Sequence, residues 1–325
     1  MKQYDFTVVG GGTIVQMLRF HELPVVGKTA TPINLNPNEP HFGGCGFNVY
    51  SGLANLGASV FPVLTHSNPI MGKRLHEDCI KYGVPETGIF GPEQERYYQC
   101  LMMGDDNGDH ITIAYWYGAD VDSVNFQHNS SVVLKDEFFN QSKIALLVVG
   151  NPDLSGQTVE LARKNDVPLA YSYRNDPALV PHDTLHQILN ESQILFTNEV
   201  EARSIEKQFG LDHITDLFRI AKAKIIVTTL GKNGCIVYDK NHGRKYEQIH
   251  VPITCIQAGC ADSVGAGDAF VAGFMYGISK GKTLETCAQY GSTTSSFVIE
   301  KSGSTTNLPT AEEMLERNAT RPDAV

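Results

Sequence analysis

The sequence predicts an α/β fold: a doubly wound, mostly parallel sheet with helices on both faces, carrying a small β-subdomain. Three observations lead there. Short β-branched runs read as buried strands, segments of helical periodicity fall between them, and two strand-rich insertions break the alternation.

In chain order, the strands are Phe6–Val9, Val60–Leu64, Ile144–Val149, Ile194–Phe196, Ile225–Thr229 and Cys235–Tyr238. The helices between and after them are Val49–Leu56, Met71–Tyr82, Gly156–Lys164, Glu199–Gln208 and Ala311–Arg317. Thr13–Phe20 with Ala30–Leu35, and Tyr97–Met103 with His110–Tyr117, read as hairpin or meander strands. The turn Asp105-Asp106-Asn107-Gly108-Asp109 supports the second pair, because Asn-Gly readily takes positive φ. The expected division is a core of residues 1–12, 41–95 and 119–325, and a β-subdomain of residues 13–40 and 96–118. The polar tail Asn318–Val325 is expected to fray.

With 325 residues, 42% apolar and 19% charged, the chain is long enough to bury a water-excluding site and too apolar for disorder. A net charge of −10 with no basic stripe excludes nucleic acid as an expected partner. An anionic nucleotide would therefore be held by local backbone dipoles and metal ions. The seven cysteines contain no CxxC pair and fit free thiols in a reducing compartment. The longest apolar runs, such as Ala269–Ile278, fall short of the roughly 20 residues a bilayer span needs, and the N-terminus lacks a signal-peptide layout. A cytoplasmic protein with no membrane partner is expected.

Some motifs mislead. Gly10-Gly11-Gly12 suggests a dinucleotide fingerprint, but the third glycine of that pattern would fall at Val15 and no helix follows. Gly27-Lys28-Thr29 and Gly281-Lys282-Thr283 lack the earlier glycine of a P-loop, with Glu22 and Tyr276 in its place.

The most informative segment is Asp262-Ser263-Val264-Gly265-Ala266-Gly267-Asp268, a glycine-rich turn leading into the small, apolar helix Ala269–Ser279. Unpaired amides at a helix start suit a phosphate in transfer, and Gly265 and Gly267 let backbone close around it. Asp268 then serves either as a base toward an attacking hydroxyl or as an ordinary N-cap. A second segment, His41-Phe42-Gly43-Gly44-Cys45-Gly46-Phe47-Asn48, precedes another apolar helix. Its paired glycines admit close backbone approach, and Asn48 either contacts hydroxyls or caps the helix.

Together these segments resemble the two signatures of the ribokinase (PfkB) family of carbohydrate and nucleoside kinases: GGxxxN followed by LANLG at Leu53–Gly57, and D-[TS]-x-G-A-G-D near the C-terminus. Thr228–Gly234 resembles the family's TLGxxG nucleotide loop, and Asn198-Glu199-Val200-Glu201 its NxxE motif. Ser295–Gly303, followed by Pro309, is similar to the helix and loop over the adenine, and Gly118-Ala119-Asp120 to the return from the lid.

The resemblance implies a ribokinase-like fold and a kinase that phosphorylates a hydroxyl of a sugar or polyol with ATP and Mg²⁺. A nucleoside kinase and a non-catalytic ligand-sensing relative are the alternatives. Asp268 matches the catalytic base and the amides of Gly265, Ala266 and Gly267 the anion hole. Asp268 is expected to work near the ordinary aspartate pKa of about 3.9. Gly43, Gly44 and Asn48 match acceptor contacts. Asn198, Glu201, Thr229, Gly231, Gly234 and Gly303 match the ATP site, with Glu201 holding Mg²⁺ through water. Asp262 and the carbonyl of Val264 match a monovalent-cation site, K⁺ in many members.

Departures concern the acceptor. The aspartate with which many sugar kinases grip hydroxyls falls on Val15, leaving Gln16 as its candidate substitute. Cys45 stands where ribokinases tend to carry lysine, and GxDxxG is degraded to His66–Gly72. The lid residues Tyr115, Trp116 and Tyr117 are expected to stack on a sugar or base, or to pack in a lid-to-lid homodimer.

Overall fold

The computed structural model describes residues 2–34, 40–66, 68–91, 96–106, 110–118, 132–148, 152–177, 179–240, 246–260 and 263–321. Its elements run β1 (Tyr4–Arg19), β2 (Pro40–Gly43), α1 (Cys45–Asn55), β3 (Val60–His66), α2 (Pro69–Tyr82), β4 (Ile89–Phe90), β5 (Arg96–Gly104) and β6 (His110–Gly118). They continue α3 (Glu137–Asn140), β7 (Ser142–Val148), α4 (Pro152–Lys164), β8 (Leu169–Ser172), α5 (His182–Glu191), β9 (Ser192–Asn198), α6 (Glu199–Phe209) and α7 (Leu217–Ile220). Last come β10 (Ile225–Thr229), β11 (Cys235–Asp239), β12 (Glu247–Val251), α8 (Ala266–Ser279), α9 (Leu284–Val298) and α10 (Ala311–Ala319).

The core strands lie in the order β12-β11-β10-β9-β8-β7-β1-β3-β4. All neighbours are parallel except β10-β11 and β11-β12. Alternation along the strands feeds two apolar layers. Leu146 and Val148 of β7 face a cluster with α1, α8 and α9, whereas Ala145 and Leu147 face one with α3 to α7. From β1 the chain winds outward through β3 and β4, then returns to β7 on the other side of β1. The carboxyl ends of β1 and β7 therefore flank a topological switch point, where such sheets bind ligands.

β1 was expected to stop at Val9, but it runs unbroken for 16 residues. Its register with β3 ends at Gly12, and its register with β2 begins at Thr13. The glycine run thus lies within the strand, and close packing explains it. A Cβ on Gly10 would fall 2.7 Å from the Cα of Gly46, and one on Gly46 would fall 2.6 Å from the nitrogen of Gly11. Backbone touches backbone where α1 begins.

The lid is β2, β5, β6 and the outer half of β1, with β5 and β6 paired antiparallel from Arg96↔Gly118 to Gly104↔His110. The strand expected at Ala30–Leu35 is not formed: residues 30–34 are irregular, tied by the amide of Ile33 to the carbonyl of Arg19 and by Asn34 to Arg19 and Met17, while residue 35 lies outside the described residues. Pro40–Gly43 pairs with β1 instead. The turn residues Asn107, Gly108 and Asp109, and Ala119-Asp120, also lie outside the described residues. The degraded motif at His66–Gly72 serves structure, since Asn68 caps α2 by accepting from the amide of Ile70 at 2.8 Å.

Candidate active site

The turn before α8 has the conformation its glycines allow. Gly265 is the N-cap at φ 79°, and a Cβ there would meet the Cβ of Ser304 at 2.5 Å and its Cα at 2.8 Å. Asp268 lies inside the first turn and makes no capping bond, which removes the N-cap reading. The amide of Ala266 is turned toward the carbonyl of Ser263 at 3.3 Å. The amides of Gly267 and Asp268 have no partner within the helix, and the space beside Gly267 is open. The amides at the start of α8 that lack a helical partner are thus those of Gly267 and Asp268, and Gly267 is common to the expected set Gly265, Ala266 and Gly267.

The second turn meets the first. α1 begins at Cys45, four residues earlier than expected, with Gly44 as N-cap at φ 95°. Asn48 therefore sits in the first turn of the helix rather than before it. Its Nδ2 donates to Oδ2 of Asp268 at 2.7 Å, and its Oδ1 accepts from the hydroxyl of Ser304 at 2.9 Å. The carbonyl of Phe42 lies 3.3 Å from the same hydroxyl, as the longer alternative acceptor of its one proton. These partners leave one orientation of the Asn48 amide. Gly43 is needed by packing, since a Cβ there would fall 2.7 Å from Cγ2 of Val15. Below the site, close contacts set the helix spacing. A Cβ on Gly52 of α1 would touch Ala272 of α8 at 2.7 Å, and one on Gly273 would touch the Tyr290 carbonyl of α9 at 2.4 Å.

Burial pushes the Asp268 carboxyl up to about 6, against the lowering effects of the Asn48 hydrogen bond, the Arg174 charge and the Cys45 hydrogen bond. The expectation of an ordinary aspartate is corrected accordingly: the group is ionised at neutral pH, yet a stronger base than a solvated one. Cys45 is pushed up to about 12, by burial first and then by Asp268, so it stands as a neutral thiol beside the carboxylate. Arg174, just beyond β8, donates from Nη1 to Cys45 Sγ at 3.3 Å. Ser304 and Arg174 escaped the sequence reading. Each lies in an irregular segment with no motif, and the only signal for Arg174 was its place at the carboxyl end of a strand.

At the carboxyl ends of the neighbouring strands, Thr229 of β10 is paired with Asn198 of β9. Asn198 and Glu201 form a capping box at the start of α6, each side chain accepting from the other's amide at 2.8 Å. Capping is thus real here, and it coexists with an unusual charge state. Burial pushes Glu201 up to about 6, opposed by the Asn198 amide and the Arg174 charge. Gly231, at φ 55°, opens a short 3₁₀ turn into free space. Gly234 is fixed by the sheet, because a Cβ there would lie 2.1 Å from the Val251 carbonyl. Gly303, at φ 96°, lies against His41 and Thr306, beside the 41–48 turn.

Gln16 belongs elsewhere. Val15, Met17 and Met102 form one lid cluster, against which Cys100 and Val264 pack, so that face looks toward the α8 turn. Strand alternation turns Gln16 to the opposite face, in register with Leu101 and Ile113, which takes it out of the acceptor set. Asp262 lies outside the described residues, as do the side chains of Trp116 and Tyr117. Tyr115 hydrogen-bonds Gln99 across the lid strands. Among the described residues no three His, Cys, Asp or Glu side chains gather to hold a metal. A small cavity lined by Val159, Arg163, Glu191 and Lys222 lies near the amino ends of β8 and β9, far from this chemistry.

The model of the family described as pfkB family carbohydrate kinase matches residues 21–311. The nucleoside kinase of Methanocaldococcus jannaschii is 24% identical over 319 residues, covering 97% of each chain. A crystal structure of that organism's nucleoside kinase superposes with a TM-score of 0.80 at 21% identity, covering 98% of this chain and 99% of the other. The 5-dehydro-2-deoxygluconokinase of Listeria monocytogenes is 28% identical over 321 residues, with 91% of this chain and 95% of the relative covered. An Arabidopsis thaliana ribokinase, solved with ribose and ATP, superposes with a TM-score of 0.75 at 20% identity over 98% of this chain and 99% of its own.

Proposed function

This chain belongs to the pfkB family of carbohydrate kinases and is an ATP-dependent phosphotransferase acting on a hydroxyl group; from that premise we propose that Asp268 deprotonates a sugar or polyol hydroxyl as it attacks the γ-phosphate. The carrying observation is the 2.7 Å hydrogen bond from Asn48 to Asp268, which joins the acceptor turn to the phosphate turn. Asn48 fixes the carboxylate while Gly43 and Gly44 let the acceptor approach the backbone. The amides of Gly267 and Asp268, with Gly265 and Ala266 shaping the turn, stabilise the negative charge of the migrating phosphoryl group. Proton transfer need not be far advanced, because the transition state is loose.

The nucleotide is assigned to the edge formed by Asn198, Thr229, Gly231 and Gly234. Mg²⁺ fits there, since the buried Glu201 carboxylate has a raised proton affinity that a cation would relieve, and the absence of a three-ligand cage among the described residues suits an ion carried mainly by phosphates and water. Glu201 would hold that ion through its waters, and the ion would neutralise phosphate charge. A K⁺ site at Asp262 remains part of the proposal and is tested by replacing potassium with sodium.

A second reading, a nucleoside acceptor, is favoured by the near-complete alignment to the M. jannaschii nucleoside kinase and by Val15 in place of an aspartate. Coupled ADP release measured over a panel of sugars, inositols and nucleosides separates the two. Turnover with sugars or polyols supports the first reading, and turnover with nucleosides alone overturns it. No turnover with retained ATP binding would instead indicate the ligand-sensing alternative. We further assign the exposed lid residues Val25, Val26, Ile33, Ile111 and Ile113 to a homodimer contact. A monomeric mass in light scattering at tens of micromolar would overturn that assignment.

A further inference from the structure

We propose that Arg174 is a catalytic residue whose guanidinium contacts the phosphoryl group during transfer, lying between the base and the metal-side glutamate. The inference rests on the phosphotransfer reading and adds to it a group that no motif marks.

Three observations carry it. The first is placement. β8 lies beside β9 in the sheet, and Arg174 leaves the carboxyl end of β8 next to Asn198 and Glu201. On the other side its Nη1 reaches Cys45 Sγ at 3.3 Å, one side chain from Asp268. Its charge acts on both the Asp268 and the Glu201 carboxylates. A phosphoryl group moving from nucleotide to acceptor passes between those two groups.

The second is unsatisfied bonding capacity. A guanidinium has five N–H donors. Among the described residues, that of Arg174 has a single hydrogen bond, to a thiol, and no carboxylate within ion-pair distance, although its side chain is solvent-accessible. A thiol is a weak acceptor, so the remaining donors are left for an anion from outside.

The third is preorganisation. Asp176 donates its amide to the Arg174 carbonyl at 2.8 Å, Tyr173 donates to the Phe196 carbonyl at 3.0 Å, and Asn175 accepts from Ser204 of α6 at 3.1 Å. The segment is therefore tied to β9 and α6 on both sides of Arg174, so the charge is held in place before substrate arrives.

In the step itself the acceptor hydroxyl gives its proton to Asp268 and forms the new O–P bond. The bond from the γ-phosphorus to the bridging oxygen breaks, and its electron pair leaves with ADP. Arg174 exchanges no proton; it donates hydrogen bonds to non-bridging oxygens as charge builds on them.

The test compares Arg174→Gln, Arg174→Ala and Arg174→Lys with the wild type, using the best neutral acceptor from the panel and a matched sugar acid. Expected results are a fall in kcat on the order of 10²–10³-fold for the Gln variant, with KM for the neutral acceptor changed less than about threefold. Lys should retain part of the activity, and added guanidinium should partly rescue Ala, which a purely structural role would not allow. Slow ATP hydrolysis without acceptor should fall in parallel, a readout that remains if no panel member is a substrate. An unchanged kcat and ATPase, in a wild type that does turn over, overturns the inference while leaving the kinase assignment intact. A loss confined to KM for the sugar acid would also overturn it and assign Arg174 to an acceptor carboxylate. If the wild type shows neither transfer nor ATPase, both readings fall. Melting curves confirm that the variants are folded, with Lys as the mildest change.

Discussion

Asn48 and Asp268, 220 positions apart in the chain, meet through a 2.7 Å hydrogen bond that joins the first turns of α1 and α8. Ser304 holds the far side of the same amide. Asp268, the 41–48 turn and the turn before α8 are thereby one hydrogen-bonded unit, and the roles proposed for its parts can be tested one at a time.

Asp268→Asn removes the base and leaves the amides. Turnover should fall roughly 10²–10⁴-fold while ATP binding, read by calorimetry, persists. Near-normal turnover would strip Asp268 of its role.

The same substitution has a stability consequence of opposite sign. Burial pushes the folded carboxyl up to about 6, above its ordinary value of 3.8. Folding therefore favours the protonated form: that contribution is complete below about 3.8 and is lost as pH rises through about 6. At pH 7 the buried carboxylate is a cost that the neutral amide escapes. Asp268→Asn should melt higher than wild type at pH 7, by on the order of 3 kcal/mol at most, with the gap closing toward pH 4. A lower melting temperature at pH 7 would contradict this account.

The acid limb of kcat/KM should follow the same group, with activity falling as pH drops through about 6. Asn48→Leu removes a hydrogen bond that lowers this pKa, so the limb should move to higher pH in that variant. A limb that stays in place would separate Asp268 from the pH profile.

Gly46→Ala should destabilise by about 1–3 kcal/mol, because its Cβ would press on the backbone of Gly10 and Gly11 and neither can rotate away. Gly156→Ala provides the contrast. It lies inside α4 with nothing within 4 Å of the added carbon, and should stabilise by about 0.5–1 kcal/mol. Denaturant midpoints of the two variants shifting in the same direction would refute the packing explanation.

Glu201→Gln keeps a side chain able to complete the capping box and removes a carboxylate that burial disfavours, so melting at pH 7 should hold or rise. Loss of the charge should raise the Mg²⁺ concentration for half-maximal turnover by roughly tenfold, read at fixed ATP. An unchanged requirement would confine Glu201 to capping α6.

Much of this molecule was legible in one dimension, because its signals are local. Alternation of β-branched runs with helical periodicity foretold the layered sheet, and the two glycine-rich turns foretold helix starts, which the fold brings together. Asp268 and Asn48 were found for the same reason, since each sits in such a turn. Legibility failed where a residue's role depends on what approaches it. Gly10-Gly11-Gly12 signals nothing until Gly46 lands on it, and the same contact lets α1 begin at Cys45 instead of Val49. Gln16 and Val15 are equal candidates as letters, and only the pairing of β1 with β5 decides which one faces the α8 turn.

By itself, then, the sequence determined the layered α/β architecture and marked the two glycine-rich turns that carry Asp268 and Asn48, since periodicity and glycine-dependent turns are properties of short stretches of chain. The tertiary structure alone decided the proton affinity of that base, the face of the lid that sees the site, and the presence of Arg174 and Ser304. Desolvation, strand register and contacts between distant segments exist only once the chain has closed on itself.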